Sequence, residues 1–259
     1  MKNVLALIAM MMAFTSMEAA HAATVLITGA NRGLGLEFAR LYADRGWDVI
    51  ATCRTPSEAG DLDALKAQHS KVVIEELDVT DQSEIDSLAV KYKDRPIDLL
   101  INNAGILGDL GDQSLGSFNH EEFKRVMDTN VYGALAVTQA FKDNVIASEH
   151  KKIIAMTSVA GSLVGPWQNL GGLYYYRASK SALNNVMRAV GIDLKKHGVV
   201  VGLVAPGAAG TDMLREDFKY KGPMISPAES VAGMVKAIDG FTQASASHPI
   251  NYDGEVLDW

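Results

Sequence analysis

The chain has 259 residues, of which 48% are hydrophobic, so it is long and apolar enough to form one α/β domain with a sizeable core. Its formal net charge of −7 argues against a nucleic-acid-binding surface, which needs clustered lysine and arginine side chains. Cys53 is the single cysteine, which excludes a disulfide within the chain.

The first residues predict an export signal. Lys2 gives a short positive region, residues 4–14 form an apolar run that is short for a membrane span, and Ala20-His21-Ala22 offers a cleavage site. We therefore expect residues 1–22 to be a signal peptide and residues 23–259 to form one periplasmic or secreted domain without stable membrane insertion. The alternatives are a misassigned start codon or an apolar N-terminal extension, either of which would leave the protein in the cytoplasm.

Short β-branched runs then alternate with helix-like segments. Strands are predicted at 24–28, 48–53, 72–74, 97–101, 153–156 and 199–204, and helices at 34–45, 57–68, 81–92, 119–131 with a continuation beyond 133, and 177–196. This alternation predicts an α/β fold with a Rossmann-type, doubly wound parallel sheet covered on both faces. Ligands bind such sheets at the carboxyl ends of the strands, so the residues that follow each strand are the functional candidates.

A glycine-rich loop follows the first strand, with Gly29, Gly33 and Gly35 spaced as Gly-x-x-x-Gly-x-Gly. Glycine tolerates positive φ and lets the backbone approach a pyrophosphate closely, and the free N–H groups at the start of the next helix favour an anion. Many tight turns of this kind bind nothing. The position of this loop inside a βαβ unit favours a dinucleotide site.

The end of the second strand bears on the choice between the two nicotinamide dinucleotides. Thr52-Cys53-Arg54 has no carboxylate that could hold a ribose 2′-hydroxyl. Arg54 can pair with a 2′-phosphate and Arg32 can reach the same region, although each could also be a solvated surface arginine. We therefore expect NADP(H) to be preferred over NAD(H). Asp78, after the third strand, could accept from the adenine amino group or simply favour a helix N-terminus.

A tyrosine and a lysine lie four residues apart in Tyr176-Arg177-Ala178-Ser179-Lys180, which places both on one helix face. The cation would favour the phenolate and lower the pKa of the tyrosine. Tyr174 and Tyr175 have no lysine at the same spacing. Ser158 follows the fifth strand at the same sheet edge and could donate to a substrate carbonyl oxygen. A Tyr-x-x-x-Lys pair alone is common and mostly structural.

Taken together, these motifs resemble those of the short-chain dehydrogenases/reductases, and more narrowly their C-factor-like, carbonyl-reductase-type branch. The matching segments are TGANRGLG at 28–35, LDVTD at 77–81, NNAG at 102–105, TNVYGAL at 129–135, MTS at 156–158, YRASK at 176–180, APG at 205–207 with Thr211, and NYDG at 251–254. The resemblance covers residues 24–259.

The resemblance implies roles for individual residues. Tyr176 would be the general acid or base, Lys180 would hold the nicotinamide ribose and lower the tyrosine pKa, and Ser158 would orient the substrate oxygen. Asn130 would anchor a water in a proton relay through Lys180. The glycines would take the pyrophosphate, and Asp78 the adenine. The full set of expected cofactor contacts is Gly29, Asn31, Arg32, Gly33, Leu34, Gly35, Arg54, Asp78, Val79, Asn102, Ala104, Gly105, Tyr176, Lys180, Pro206, Gly207 and Thr211.

The expected function is that of an NADP(H)-dependent oxidoreductase that interconverts a carbonyl and an alcohol by hydride transfer. The alternative is a C-factor-like signalling or interaction protein that binds the dinucleotide with little turnover. The complete set of Asn130, Ser158, Tyr176 and Lys180 favours the enzyme, because a pure binder needs no tuned phenol.

Two departures from the family pattern concern the substrate side of the site, so the small-molecule substrate stays open. The segment 159–175 is longer than in many members, and Ala208-Ala209 stands where bulkier side chains are frequent.

The histidines lack metal-ligand spacing, so no metal site is expected. Family members often pair through helices that correspond here to 119–149 and 177–196, which makes a homo-oligomer the expectation.

Overall fold

The computed structural model describes residues 22–164, 171–244 and 248–259. Seven strands form one sheet in the order β3-β2-β1-β4-β5-β6-β7, and neighbouring strands pair in parallel. The strands are β1 (Thr24–Ile27), β2 (Asp48–Cys53), β3 (Val72–Glu76), β4 (Leu99–Asn102), β5 (Lys152–Met156), β6 (Val200–Ala205) and β7 (Ile250–Asn251). This order confirms the predicted doubly wound α/β fold.

Helices connect the strands. They are α1 (Gly33–Asp44), α2 (Gly60–Gln68), α3 (Gln82–Lys91), α4 (His120–Met127), α5 (Gly133–Ile146), α6 (Tyr174–Leu194) and α7 (Pro227–Gly240). A π-helical turn over Asp128–Tyr132 joins α4 to α5, and a second one covers Met213–Asp217. Side-chain caps fix several helix starts, as where Asn119 accepts from the backbone of Glu121 and Glu122 at α4.

Two apolar layers cover the sheet. Successive strand residues point to opposite faces, so Val25 and Ile27 of β1 pack with Phe38 and Tyr42 of α1, whereas Leu26 joins the other layer. That second layer is built largely from α3, α5 and α6. Because both faces are covered, the central strands are apolar along most of their length, as the sequence predicts.

The chain changes direction beside β1, which explains the position of the site. After β3 it crosses back to form β4 on the other side of β1, so the loops after β1 and β4 leave the sheet in opposite directions and open a crevice. The predicted signal peptide lies, up to residue 21, outside the described residues. Within the ranges that are described, no helix is long and apolar enough to cross a membrane.

Candidate active site

A broad cleft of about 1260 Å³ runs along the carboxyl ends of the strands. Most of the predicted site residues line it, namely Gly29, Asn31, Arg32, Gly33, Leu34, Gly35, Arg54, Asp78, Val79, Ala104, Gly105, Tyr176, Lys180, Pro206 and Thr211. Four further predicted residues do not line it, namely Asn102, Asn130, Ser158 and Gly207. The cleft is large enough for a dinucleotide and a small substrate together.

The glycine loop forms a cradle that side chains would fill. Gly29 has φ +65°, and a Cβ there would lie 2.9 Å from the Cα of Ala104. A Cβ on Gly35 would collide with the carbonyl oxygen of Gly29. The helix that follows has no side-chain cap, since Arg32 makes none, so its first N–H groups are available to an anion. The residues present therefore fit the pyrophosphate of a dinucleotide.

Asn103, which the sequence analysis did not single out, fastens this cradle. Its side-chain amide donates to the carbonyl oxygens of Thr28 at 2.9 Å and Gly29 at 3.0 Å. The Thr28 hydroxyl in turn accepts from the backbone of Asn103 and Ala104, both at 3.0 Å. The loops after β1 and β4 are thereby held together by side chains that are part of the TGA and NNAG motifs.

Asn102 occupies a different place from the one expected. Its side chain is buried in β4 and donates to the Thr138 hydroxyl of α5 at 3.0 Å. Because alternate strand residues point to opposite faces, Asn102 is turned into the layer beneath the sheet. Asn103, Ala104 and Gly105, rather than Asn102, are the residues of this motif that reach the cleft.

The two arginines of the cofactor end have different environments. Arg54 is exposed at the cleft and forms no ion pair with any residue in the described ranges. Arg32 is already paired with Asp212 at 3.2 Å across the mouth of the cleft. Glu58, beyond Arg54, also lines this end. Of the two, Arg54 is therefore the cation without an ion-pair partner among the described residues.

Asp78 and Val79 line the end of the cleft at which the resemblance places the adenine. The Asp78 carboxylate accepts from the Thr80 backbone at 2.8 Å and from its hydroxyl at 2.7 Å, which fixes the carboxylate beside the cleft. A Cβ on Gly133 would lie 2.8 Å from a Val79 methyl, so the start of α5 packs directly beneath this loop. This end of the cleft is thus packed closely on its inner side.

Tyr176 and Lys180 lie one turn apart near the start of α6. The Lys180 side chain is buried, donates to the Met156 carbonyl at 2.8 Å, and has its nitrogen 5.6 Å from the centre of the Tyr176 ring. Burial lowers the pKa of Lys180 to about 8.

The direction of the Tyr176 pKa differs from the sequence-based expectation. Burial raises the pKa of Tyr176, and the Ser158 hydroxyl acts in the opposite direction with a smaller effect. The Lys180 ammonium group does not offset this loss of solvation; it donates to the Met156 carbonyl instead. In this arrangement the phenol keeps its proton, which suits a general acid.

Ser158 stands two residues beyond β5. Its hydroxyl oxygen accepts from the backbone N–H of Ala160 at 3.2 Å, and its hydroxyl proton can be donated to the Tyr176 oxygen or to a substrate oxygen. The neighbouring Thr157 is tied to Asn184 of α6 by a hydrogen bond of 2.5 Å. The serine is therefore held at the strand end by local backbone contacts, beside the phenol.

Asn130 lies in the π-helical turn and is almost fully buried. Its side chain accepts from the Ile106 N–H at 2.8 Å and donates to the Ile106 carbonyl and the Ser179 hydroxyl, each at 2.9 Å. Gly105 separates it from Lys180, since a Cβ on that glycine would lie 3.2 Å from the Asn130 oxygen and 3.6 Å from the Lys180 nitrogen. Asn130 thus joins the loop after β4 to the helix that carries Tyr176.

The segment after β6 closes the other side. The Pro206 carbonyl accepts from the Ser230 hydroxyl of α7 at 2.7 Å, and Gly207 has φ +65° with the Tyr252 ring against it. A Cβ on Gly33 would lie 3.4 Å from the Thr211 methyl, so this segment meets the glycine loop. The NYDG motif therefore supports the cleft through Tyr252, a role that the sequence analysis did not assign.

The fold and the cleft together define a dinucleotide-binding α/β protein with a tyrosine–lysine pair at the cofactor edge. The family model of the short chain dehydrogenases matches residues 23–222. A 1-hydroxy-2-glutathionyl-2-methyl-3-butene dehydrogenase from Rhodococcus sp. (strain AD45) is 33% identical over 239 residues, which are 91% of this chain and 99% of that protein. The C-signal protein of Myxococcus xanthus is 34% identical over 164 residues, 63% of this chain and 93% of that protein.

Among solved structures, an NADPH-bound carbonyl reductase from chicken fatty liver superposes with a TM-score of 0.83 at 30% identity, covering 92% of this chain and all (100%) of the other. The chain belongs to the short-chain dehydrogenase family. The resemblance stated from the motifs is confirmed, and so is the enzyme class, an oxidoreductase that acts on alcohol and carbonyl groups.

Proposed function

We propose that this protein is an NADP(H)-dependent carbonyl reductase that works with Tyr176 as general acid, and as general base in the reverse direction. The observation that carries the proposal is the Tyr176 phenol at the cleft, with the Ser158 hydroxyl and the buried Lys180 ammonium group beside it. A bound dinucleotide would supply the hydride to the carbonyl carbon.

The chain's own residues then have distinct tasks. The α1 N-terminus and the cradle of Gly29, Gly33 and Gly35 hold the pyrophosphate, and Arg54 meets the 2′-phosphate. The Ser158 proton binds the substrate oxygen as negative charge develops on it. Tyr176 delivers its proton to that oxygen, and Lys180 favours the phenolate that is left behind.

Turnover on a panel of aldehydes, ketones and quinones, followed through the absorbance of NADPH, tests this function. The expected result is NADPH consumption with at least one class of carbonyl. Tight binding of NADPH without turnover on any member of the panel would instead favour a dinucleotide-binding signalling or interaction protein.

The cofactor preference gives a separate prediction. Arg54 is exposed at the cleft without a described ion-pair partner, so NADPH should bind at least about tenfold more tightly than NADH, because a charge-assisted hydrogen bond contributes roughly 1.5–3 kcal/mol. Arg54→Ala should remove most of this preference and leave NADH affinity almost unchanged. Titration of protein fluorescence measures both constants.

A matched control for this prediction is Arg45→Ala. Arg45 is also a partly exposed arginine, but it pairs with Asp239 and does not line the cleft. That variant should keep the wild-type preference. Equal affinities of the wild-type protein for the two dinucleotides would contradict the assignment.

We also propose that residues 1–22 are a cleaved export signal. The mature protein should begin at Ala23, because Ala20 and Ala22 are the small residues placed after the apolar run. Cleavage there leaves β1, which begins at Thr24, intact. N-terminal sequencing of the protein from its native host is the test, and recovery of intact Met1 would contradict the proposal.

A further inference from the structure

One buried side-chain amide connects the helix that carries Tyr176 to a loop that lines the cleft. Gln113 lies in a 3₁₀ turn between β4 and α4 and is only 1% exposed. Its oxygen accepts from the backbone N–H groups of Tyr175 at 3.1 Å and Tyr176 at 3.0 Å. Its nitrogen donates to the carbonyl oxygens of Leu107 at 2.9 Å and Asp109 at 3.2 Å.

These four contacts use the whole hydrogen-bonding capacity of an amide, two donors and two lone pairs. They also fix its orientation, because a rotated amide would turn its NH₂ group toward the two N–H groups of α6. A buried polar group that is fully satisfied in this way specifies one geometry, whereas a partly satisfied one is costly.

The α6 side of the contact replaces a local helix cap. Helix α6 begins at Tyr174, and the preceding Leu173, at φ +53°, provides no side-chain hydrogen bond to the first turn. The N–H groups of that turn have no intrahelical acceptor. Gln113, more than sixty positions earlier in the chain, supplies the acceptor and thereby sets where Tyr176 stands.

The loop side of the contact is equally close. Gly108 has φ +82°, and a Cβ on it would lie 2.9 Å from the Gln113 nitrogen, so the backbone of residues 107–109 wraps around the amide. These loop residues line the cleft, and the preceding Ile106 is clamped by Asn130. Asn130 therefore holds the loop at Ile106, and Gln113 holds it at Leu107 and Asp109. Of these two amides, Gln113 also contacts the first turn of α6.

We propose that Gln113 is a positioning residue that fixes the Tyr176 phenol relative to the cleft-lining loop 106–109. The proposal rests on the proposed role of Tyr176 as proton donor. Gln113 acts through backbone contacts and does not itself touch the reacting atoms.

Gln113→Met tests this with similar side-chain volume and no hydrogen bonds. We expect kcat for reduction of the best carbonyl in the panel to fall about 10- to 100-fold, because small displacements of a catalytic group have effects of that size. The Kd of NADPH should change less than about threefold, since Gln113 lies apart from the glycine cradle and Arg54. In the cofactor-free protein, hydrogen exchange at the amides of Tyr175 and Tyr176 should become about 10-fold faster or more.

Asn144→Leu is the matched control. Asn144 is also a buried amide that bridges backbone segments, donating to the carbonyls of Tyr92 at 2.7 Å and Arg95 at 2.8 Å, but it lies on α5 away from the cleft. It should lower Tm as Gln113→Met does, while kcat and the exchange rates at Tyr175 and Tyr176 stay at wild-type values. Equal losses of kcat in the two variants would overturn the positioning role.

Gln113→Glu distinguishes the contact with the α6 N–H groups from the contact with the loop carbonyls. It also provides the test if Gln113→Met does not fold. Its carboxylate still accepts from the α6 N–H groups but cannot donate to the loop. The kcat ratio of this variant to wild type should be below one at pH 8 and higher at pH 6, since a protonated carboxyl can again donate to one of the two loop carbonyls. Wild-type kcat at pH 8 would overturn the proposal.

Tyr176→Phe in the same assay separates this proposal from the proposed function. Wild-type turnover by Tyr176→Phe would overturn the assignment of the proton donor. Loss of turnover in Tyr176→Phe together with full activity in both Gln113 variants would overturn the positioning role alone.

Discussion

The Tyr176→Phe protein is expected to fold, to bind NADPH, and to lose turnover by about 10²–10⁴-fold, the usual effect of removing a positioned acid or base. The substitution removes one oxygen and keeps the ring that packs near Lys180. Cofactor affinity should change little, because the cradle and Arg54 are untouched. Single-turnover kinetics with the best carbonyl of the panel and an NADPH titration give the two numbers.

The neighbouring tyrosines provide controls of different kinds. Tyr174 is 42% exposed and packs edge-on against Phe118, so Tyr174→Phe should behave as wild type. The Tyr175 hydroxyl is buried and accepts from the Asn119 backbone at 2.7 Å. Tyr175→Phe therefore leaves a backbone N–H unsatisfied and should lower stability without a comparable effect on the chemical step.

The pH dependence of the reaction follows from the direction of the Tyr176 pKa. Burial raises it, so in the cofactor-free protein the phenol loses its proton only above its ordinary range, and carbonyl reduction should not be limited by a missing proton at neutral pH.

Ser158→Ala should reduce turnover with little change in NADPH affinity. A Tyr176→Phe protein that reduces a verified carbonyl at the wild-type rate would place the proton donor elsewhere.

The sequence predicts the parallel sheet well, because strands buried on both faces are short apolar runs with little ambiguity. The elements it misses have other reasons. Strand β7 has only two residues, Ile250–Asn251, and so shows no periodicity. Helix α7 is missed although its start can be recognised in the sequence, since Ser226 caps it, Pro227 follows and Glu229 lies in the first turn. The start of α6, predicted at 177, lies at Tyr174 because its cap comes from a distant residue.

In the site, too, local motifs can be predicted from the sequence, whereas contacts between distant segments cannot. Motifs that act through their own backbone, such as the glycine cradle, are visible in the sequence because the physics is local. Asn102 and Asn103 are adjacent and chemically identical, and only the phase of β4 decides which one reaches the cleft. Gln113 bridges segments far apart in the chain, and no local pattern marks it. Tertiary contacts therefore determine the part of the site that spacing cannot.

Lys180→Met is expected to abolish most turnover, by about 10²-fold or more, and to weaken NADPH binding, because the lysine both favours the phenolate and is expected to hold the ribose. It should also change how stability depends on pH. The Lys180 pKa is lowered from 10.5 to about 8 in the folded protein. Burial of the ammonium group therefore destabilises the fold at neutral pH by about 3 kcal/mol, at roughly 1.36 kcal/mol for each pKa unit.

The sign of this pH effect can be worked out from the two pKa values. Below pH 8 the lysine is charged in the folded and in the unfolded protein, and burial of its charge destabilises the fold by the full amount. Between pH 8 and 10.5 only the unfolded chain keeps the proton. The free energy of unfolding therefore rises with pH in this range. Lys180→Met lacks this rise. The free energy of unfolding of the variant, relative to that of wild type, should therefore fall by about 3 kcal/mol between pH 7 and 11. The unpaired Met156 carbonyl adds a difference that is the same at every pH, so it does not affect this change.

Lys152→Met is the matched control for the loss of turnover and NADPH binding in Lys180→Met. Lys152 also donates to backbone carbonyls, those of Ile238 at 2.6 Å and Asp239 at 3.0 Å, and burial also lowers its pKa, against a smaller opposing effect of Asp239. It begins β5, at the end of the strand away from the cleft, so its loss should leave turnover and NADPH affinity unchanged. Parallel urea titrations of the wild type and both variants across this pH range measure the stability difference. A difference between wild type and Lys180→Met that stays constant with pH would show that Lys180 is not a buried cation in the folded protein.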